Sequence, residues 1–255
     1  MKIITLNTWG GRAGKEGLLS FFNKHKDDID IFCLQEMWSA PYEHLEGENA
    51  GALAIRHKDI MVRGVHEVRE LLSGHHTYFH PHHMDNYGLA MLVRTELPIH
   101  KEGEVFVHQH KGFIPTGDIG HHARNIQYIT TEVGGKIITV INFHGLWNGQ
   151  GKTDSEDRIR QSQRIIDSIR TLPGEVIICG DFNLLPNTES IRMFEDFGLR
   201  NLIKEFGITS TRTTHYTKAD KFADYIFVSK GISVTDFRVL PDEVSDHAPL
   251  LLEIS

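Results

Sequence analysis

The chain carries 255 residues, 40% hydrophobic and 24% charged, the balance of an ordinary folded protein rather than a disordered or fibrous one. Its 27 Lys plus Arg against 34 Asp plus Glu leave a net charge of −7, so no global basic field gathers polyanions and any contact with nucleic acid has to be local. No stretch approaches the roughly 20 consecutive apolar residues of a membrane span, and the opening MKIITLNTWGG lacks the long apolar segment of a secretory signal, so a cytoplasmic protein is expected.

Ile3 to Leu6 reads as a short strand, followed by the Gly-rich TWGGRAGKEG, a flexible turn containing Gly10, Gly11 and Gly14, and by a helical stretch with Leu18, Leu19 and Phe22 apolar. Ile29 to Leu34 is a second buried strand, residues 63–72 read as helix, and short strands follow at Leu89 to Arg94 and Glu104 to His108. Residues 108–123 read as loop. Asn125 to Val133 and Lys136 to Phe143 form a hairpin around Gly134 and Gly135, which supply the positive φ of a tight turn. Asp154 to Leu172 is amphipathic, with Ile159, Ile166 and Ile169 on one stripe, and it leads through Pro173 and Gly174 into the strand Val176 to Cys179. Strands at Tyr225 to Val228, Ser233 to Val239 and Leu250 to Ile254 complete one mixed α/β domain over residues 1–255. Cys33 and Cys179 lie inside apolar runs, where a thiol acts as a small hydrophobe, and no disulfide framework organises the chain.

Polar chemistry gathers where apolar strands end: at Asn7, at Gln35 and Glu36, at His144, at Asp181 and Asn183, before YIFV at Asp224, and before the last strand at Ser245, Asp246 and His247. Groups on loops held by a rigid sheet can converge from distant parts of a chain onto one rim. Glu36, Asp246, Asp181, Asn7 and Asn183 are hard oxygen donors that suit Mg²⁺ or Mn²⁺ better than a Cys/His zinc cage. An ion of that kind neutralises phosphoryl groups.

The ordered set LNTWGG, LQE, NFHG, GDFN, DYIF and SDH, spread over the whole chain, resembles the endonuclease/exonuclease/phosphatase superfamily. The resemblance implies a four-layer α/β sandwich of two facing mixed sheets with outer helices, and divalent-metal-dependent hydrolysis of phosphate esters. It implies Glu36 as principal metal ligand with Asn7 and Asp246 close by. Asp181 and Asn183 match the pair that orients or deprotonates the attacking water and donates to a phosphoryl oxygen. Asp224 matches the carboxylate that pairs with the active-site histidine, His247. His144 matches a second histidine near the leaving oxygen or the scissile phosphate. Arg124 is a candidate phosphate contact, with a surface or ion-pair role as the alternative, and Arg158 and Gln161 brace the site from behind. Plainer readings are a solvated carboxylate for Glu36, an Asx turn for Asp181 and Asn183, and structural histidines for His144 and His247.

The segment HHTYFHPHH, with His75, His76, His80, His82 and His83, fits no zinc-ligand spacing and contains Pro81. It reads as a solvated loop, with substrate contact or adventitious metal as alternatives, and His121 and His122 are open in the same way. The implied chemistry is in-line attack on phosphorus by a water that Asp181 orients, with Asn183, His247 and the metal neutralising charge. His144, His247 or a metal-bound water protonates the departing oxygen. Trp9 stands where abasic-site enzymes of the superfamily carry Asp or Asn, which places the chain nearer the deoxyribonuclease-like and sphingomyelinase-like side. The expected activity is that of a phosphodiesterase, nucleic acid slightly ahead of lipid headgroups or sugar phosphates as substrate. The alternatives are a phosphomonoesterase or lipid-headgroup or sugar-phosphate hydrolase and, from another class, a catalytically silent phosphate-binding module, disfavoured because no motif carboxylate or histidine is missing.

Overall fold

The computed structural model describes residues 1–39 and 59–255. In chain order the elements of the first part are β1 (Lys2–Asn7), α1 (Lys15–His25), β2 (Ile31–Trp38), α2 (Gly64–Leu71), β3 (His75–His83), β4 (Tyr87–Arg94) and β5 (Ile99–His108). They continue with β6 (Arg124–Val133), β7 (Lys136–His144), α3 (Glu156–Ile169), β8 (Glu175–Asp181), α4 (Glu189–Asp196) and β9 (Arg200–Asn201). The last are α5 (Leu202–Glu205), β10 (Asp224–Val228), β11 (Val234–Val239) and β12 (Leu250–Ile254). Two six-stranded sheets result, ordered β11-β12-β1-β2-β4-β3 and β5-β6-β7-β8-β10-β9. Each is mixed, with one parallel pair, β1 with β2 and β7 with β8.

Period-2 alternation decides the layering. Ile3, Ile31, Cys33, Met91 and Val93 of the first sheet join the buried cluster that holds the second sheet, whereas their neighbours Ile4, Phe32, Leu34, Ala90 and Leu92 meet Leu18, Phe21 and Phe22 of α1 and Val65 and Val68 of α2. Both faces of the first sheet are therefore covered. On the far side, Ile165, Ile166 and Ile169 of α3 and Ile191 and Phe194 of α4 join the cluster of the second sheet. The layers run helix, sheet, sheet, helix, as expected. Between the sheets lies a buried amide ladder: Gln35 Nε2 donates to Asn142 Oδ1 at 2.6 Å, and Asn142 Nδ2 donates to Leu34 O at 3.0 Å and Gln127 Oε1 at 3.2 Å. Buried amides are stable there because these bonds replace those to water.

Several expectations need correction. The segment 75–83 is not a solvated loop but the edge strand β3, with His75, His82 and His83 buried. Pro81 is tolerated because an edge strand leaves one row of N–H groups unpaired, and the register with β4 shifts between Pro81 and His83. The turn at Gly10 and Gly11 is packed, both glycines being buried. The buried stripe of α3 runs through Arg158, Gln161, Ser162, Ile165, Ile166 and Ile169, and Ile159 is only half-buried. The helix begins at Glu156 behind the cap Ser155, because the Asp154 carboxylate is used elsewhere, on the N–H groups of Glu189 and Ser190 at the start of α4. The Gly134–Gly135 turn is as expected, with φ of 58° and 79° joining Val133 to its partner Lys136.

Gly180 is the glycine on which the site depends. Its φ is 137°, and a Cβ there would lie 2.0 Å from Phe143 O on the paired strand β7. Gly180→Ala is expected to destabilise the fold by about 3 kcal/mol or more, lowering the melting temperature by roughly 6 °C or more in a calorimetric scan.

Candidate active site

The ladder of the second sheet aligns three of the expected residues in one row. His144 at the end of β7 is registered with Asp181 at the end of β8, which is registered with Asp224 at the start of β10. Asp181 Oδ1 accepts the N–H of Asn183 at 2.8 Å, an Asx turn that Asn183 completes at φ 54°. The other oxygen, Oδ2, faces the gap between the sheets. There it accepts Asn7 Nδ2 at 2.9 Å and lies 3.7 Å from His144 Nε2 and 3.6 Å from His247 Nε2.

The first sheet supplies the opposite side. Asn7 ends β1, and its amide nitrogen donates to both Asp181 and Glu36 Oε1 (3.1 Å), while its oxygen accepts the Trp9 N–H. Asn7, expected beside a metal as a ligand, thus presents donors to the carboxylates. Glu36 does not end its strand. Strand β2 runs on to Trp38, with a register shift between Leu34 and Met37, and Glu36 occupies that bulge at φ 56°. A bulge re-aims side chains, and here it turns Glu36 toward Asp181 and Asp246. Ser245 ties the SDH segment to β1 by donating to Asn7 O at 2.7 Å.

His247 Nδ1 bonds both oxygens of Asp224, at 2.8 and 2.9 Å, and Thr211 Oγ1 donates to the same carboxylate. Burial pushes the Asp224 carboxyl up and the His247 imidazole down, the Arg212 guanidinium lowering His247 further. Burial, with Arg124 second, holds His144 well below the usual histidine range. Arg124 Nη1 faces His144 Nδ1 at 3.3 Å and His82 Nε2 at 3.4 Å. Since guanidinium only donates, both imidazoles accept, and the His144 hydrogen resides on Nε2, toward Asp181. His82 Nδ1 correspondingly donates to Asn125 Oδ1. His122 stacks on His82 with centroids 5.2 Å apart. Arg158 and Gln161 hold the backbone after His144: Arg158 Nε and Nη2 donate to Leu146 O, and Gln161 Oε1 accepts the Leu146 N–H.

Of these groups Glu36, His122, Arg124, His144, Asp181, Asn183, Asp246 and His247 line a cleft of about 400 Å³ that also contains Trp9, Arg12, Tyr87, Trp147, Lys152, Arg212, Tyr216 and Lys218. A hard cation fits the acidic side of its floor. Asp246 Oδ1 is buried with no hydrogen-bond partner, its other oxygen taking Arg212 Nη1 at 3.0 Å. Asp181, Asp224 and His247 also offer ligand atoms within 4.8 Å of one another. Asp224 and His247 Nδ1 are committed to each other, however, so the open ligand atoms are those of Glu36, Asp246, Asp181 Oδ2 and His247 Nε2. Arg212 and Lys152 went unnoticed in the sequence because they lie in polar stretches, 209–222 and 147–155, without periodicity or motif.

A sequence model described as the endonuclease/exonuclease/phosphatase family matches residues 4–247. The chain belongs to that family. Among solved structures, endonuclease/exonuclease/phosphatase folds align over its whole length. A mannosyl-6-phosphatase of Bacteroides thetaiotaomicron VPI-5482 has a TM-score of 0.76 at 16% identity, covering 100% of this chain and 99% of that one. A family protein of Leptotrichia buccalis C-1013-b has a TM-score of 0.73 at 21% identity, with coverage of 100% and 99%. Humanized D. rerio TDP2 has 0.70 at 17%, with 100% and 98%. At these identities the likeness is one of fold. Two UPF0294 proteins, of Yersinia pseudotuberculosis and Yersinia pestis, are 32% identical over 123 residues, 47% of this chain and 43% of theirs, so the match spans less than half the length of these curated relatives.

Burial first, then the Asp246 and Asp181 charges, raise the Glu36 carboxyl of this family member from 4.5 to about 7. Between those values the metal-free native state keeps a proton that the unfolded chain has lost, so stability falls as pH rises through that window and levels off above it. Urea unfolding of the metal-free protein is expected to show wild type losing about 3 kcal/mol more than Glu36→Gln over this range. Identical pH slopes for the two proteins contradict the crowding of charge at Glu36.

Proposed function

We propose that this protein is a divalent-metal-dependent phosphoester hydrolase, acting on phosphodiesters by in-line attack of water. The observation that carries the reading is the convergence on Asp181 Oδ2 of an amide from one sheet and two imidazoles, beside an unpartnered Asp246 oxygen and a crowded Glu36. Glu36 and Asp246 would hold Mg²⁺ or Mn²⁺, with Asn7 orienting Glu36. Such an ion, when bound, withdraws charge from a phosphoryl oxygen. Asp181 Oδ2, held in place by the Asn7 donor, orients the water and accepts its proton as the new P–O bond forms and the bond to the departing oxygen breaks. His144 Nε2–H, Arg124 and Asn183 donate to phosphoryl oxygens, while Asp224 fixes the ring of His247. The departing oxygen takes its proton from a water beside it, since burial keeps the His144 and His247 rings neutral.

A second reading, a phosphomonoesterase or sugar-phosphate hydrolase, is favoured by the small size of the cleft, and the similar fold of a mannosyl-6-phosphatase accords with it. Among nucleic acids the same size favours a strand end over a duplex. Among the described residues no helix is long and apolar enough to cross a membrane, and a cytoplasmic location belongs to this proposal.

A panel of oligonucleotides, phosphoinositides, sphingomyelin and sugar phosphates, assayed with and without Mg²⁺ or Mn²⁺, tests it. Turnover is expected on at least one phosphodiester, to vanish with chelator, and to fall about a hundredfold or more in Glu36→Gln and in Asp181→Asn with circular dichroism unchanged. Full activity of Glu36→Gln, or none on any phosphate ester, overturns the reading.

A further inference from the structure

Two of the cations in the cleft have no part in the hydrolytic step. Lys152 is 2% exposed, and its ammonium donates to Phe222 O at 3.0 Å. Among the described residues no carboxylate lies within ion-pair distance of it. The Arg212 side chain is 4% exposed and gives Nη1 to Asp246, but its Nε is buried with no partner. Both cations lie against the half-buried ring of Tyr216, Arg212 Cζ at 4.0 Å and Lys152 Nζ at 5.0 Å from the centroid. Burial, with the Arg212 charge second, lowers Lys152 to about 8. Two buried like charges, one without a counter-ion and the other with a spare donor, are unfavourable unless an anion completes them. Asp246 cannot serve both, because its remaining oxygen faces the proposed metal.

We propose that Lys152, Arg212 and Tyr216 form a second anion pocket, beside the phosphoryl site, that takes a second phosphate group of the substrate. This rests on the phosphoester reading and narrows the substrate class to esters carrying two phosphates. The second group is either the neighbouring phosphate of a nucleic-acid strand or that of a small bisphosphate. Arg212 supplies the directional N–H, Lys152 a compact charge, and Tyr216 a wall that keeps both oriented.

Calorimetric binding to the slow Asp181→Asn variant, with Mg²⁺ present, tests this through two pairs of probes. One pair is a thymidine dinucleotide with and without a 5′-phosphate; the other is fructose 1,6-bisphosphate and glucose 6-phosphate. In one pair the second phosphate is expected to tighten binding about tenfold, the strand pair or the sugar pair identifying the source. Adding Lys152→Met is expected to bring that ratio to about one, and Lys152→Arg to restore most of it, a pattern that mere support of the loop does not produce. Equal affinities within both pairs, or a ratio that survives Lys152→Met, overturn the pocket and leave the hydrolytic reading standing. Failure to bind any of the four probes likewise overturns the pocket, whereas the hydrolytic reading falls only with the turnover panel.

Discussion

The hydrogen bond from Asn7 Nδ2 to Asp181 Oδ2 joins the end of a strand in one sheet to the end of a strand in the other, across 174 positions of sequence. A carboxylate 2% exposed is stable only if its charge is answered, and here the answer on the cleft side comes from the opposing sheet. The bond therefore sets the separation of the sheets at the point where chemistry is proposed. Its neighbours follow from it: the same Asn7 amide reaches Glu36, and the backbone oxygen of Asn7 takes the hydroxyl of Ser245, which leads into Asp246 and His247. The amide ladder of Gln35 and Asn142 repeats the arrangement one step deeper, so the bulge at Glu36 is pinned from behind as well as from the side.

Charge in this site is arranged by unequal burial of opposite partners. Burial first, and the facing Asp246 and Asp181 charges after it, raise the Glu36 carboxyl to about 7. Beside them, His82, His122 and His144 are held neutral by burial, with Arg124 the next cause. Neutral imidazoles accept from the guanidinium, and donation runs outward from Arg124 in two directions, through His82 to Asn125 and through His144 to an N–H aimed at Asp181. The histidine segment that looked like solvated loop thus supplies, through His82, one of the two imidazole acceptors that hold Arg124 in the cleft.

What the sequence made legible was whatever leaves a local trace. Apolar runs marked β1, β2, β4, β7, β8, β10 and β12 because each is buried on both faces, and the residues at their ends marked the rim. Strand β3 was missed because its residues are His, Thr, Tyr, Phe and Pro, which read as polar until the edge of a sheet gives them partners. Helix α4 depends on Asp154, a residue from a different loop, for its first N–H groups, and no local window contains that information. The bulge at Glu36 was invisible for a related reason: the apolar run of β2 breaks at Gln35 and Glu36 and resumes at Met37 and Trp38, and only the pairing with β4 reveals the extra residue. Asn7 was legible as a site residue, but the direction of its amide was not, since that depends on Trp9, Glu36 and Asp181 together.

Net charge and local charge point in opposite directions, and the fold explains how both hold. The chain as a whole carries −7, yet Arg12, Arg124, Lys152, Arg212 and Lys218 all line one cleft. They arrive from the turn after β1, the start of β6, the loop before α3 and the segment before β10, so no basic run appears in the sequence. Acids dominate the outer surface and repel polyanions at long range, within the roughly 8 Å over which such fields persist at physiological salt. Inside the cleft, water is displaced and each cation acts at short range on whatever enters. If the proposed function holds, such an arrangement selects a ligand small or slender enough to place its phosphates within the cleft and discriminates against one that remains outside. Selectivity then resides in which loops carry the cations, while the strand ends, fixed by the pairing of the sheets, keep the chemistry common to the family.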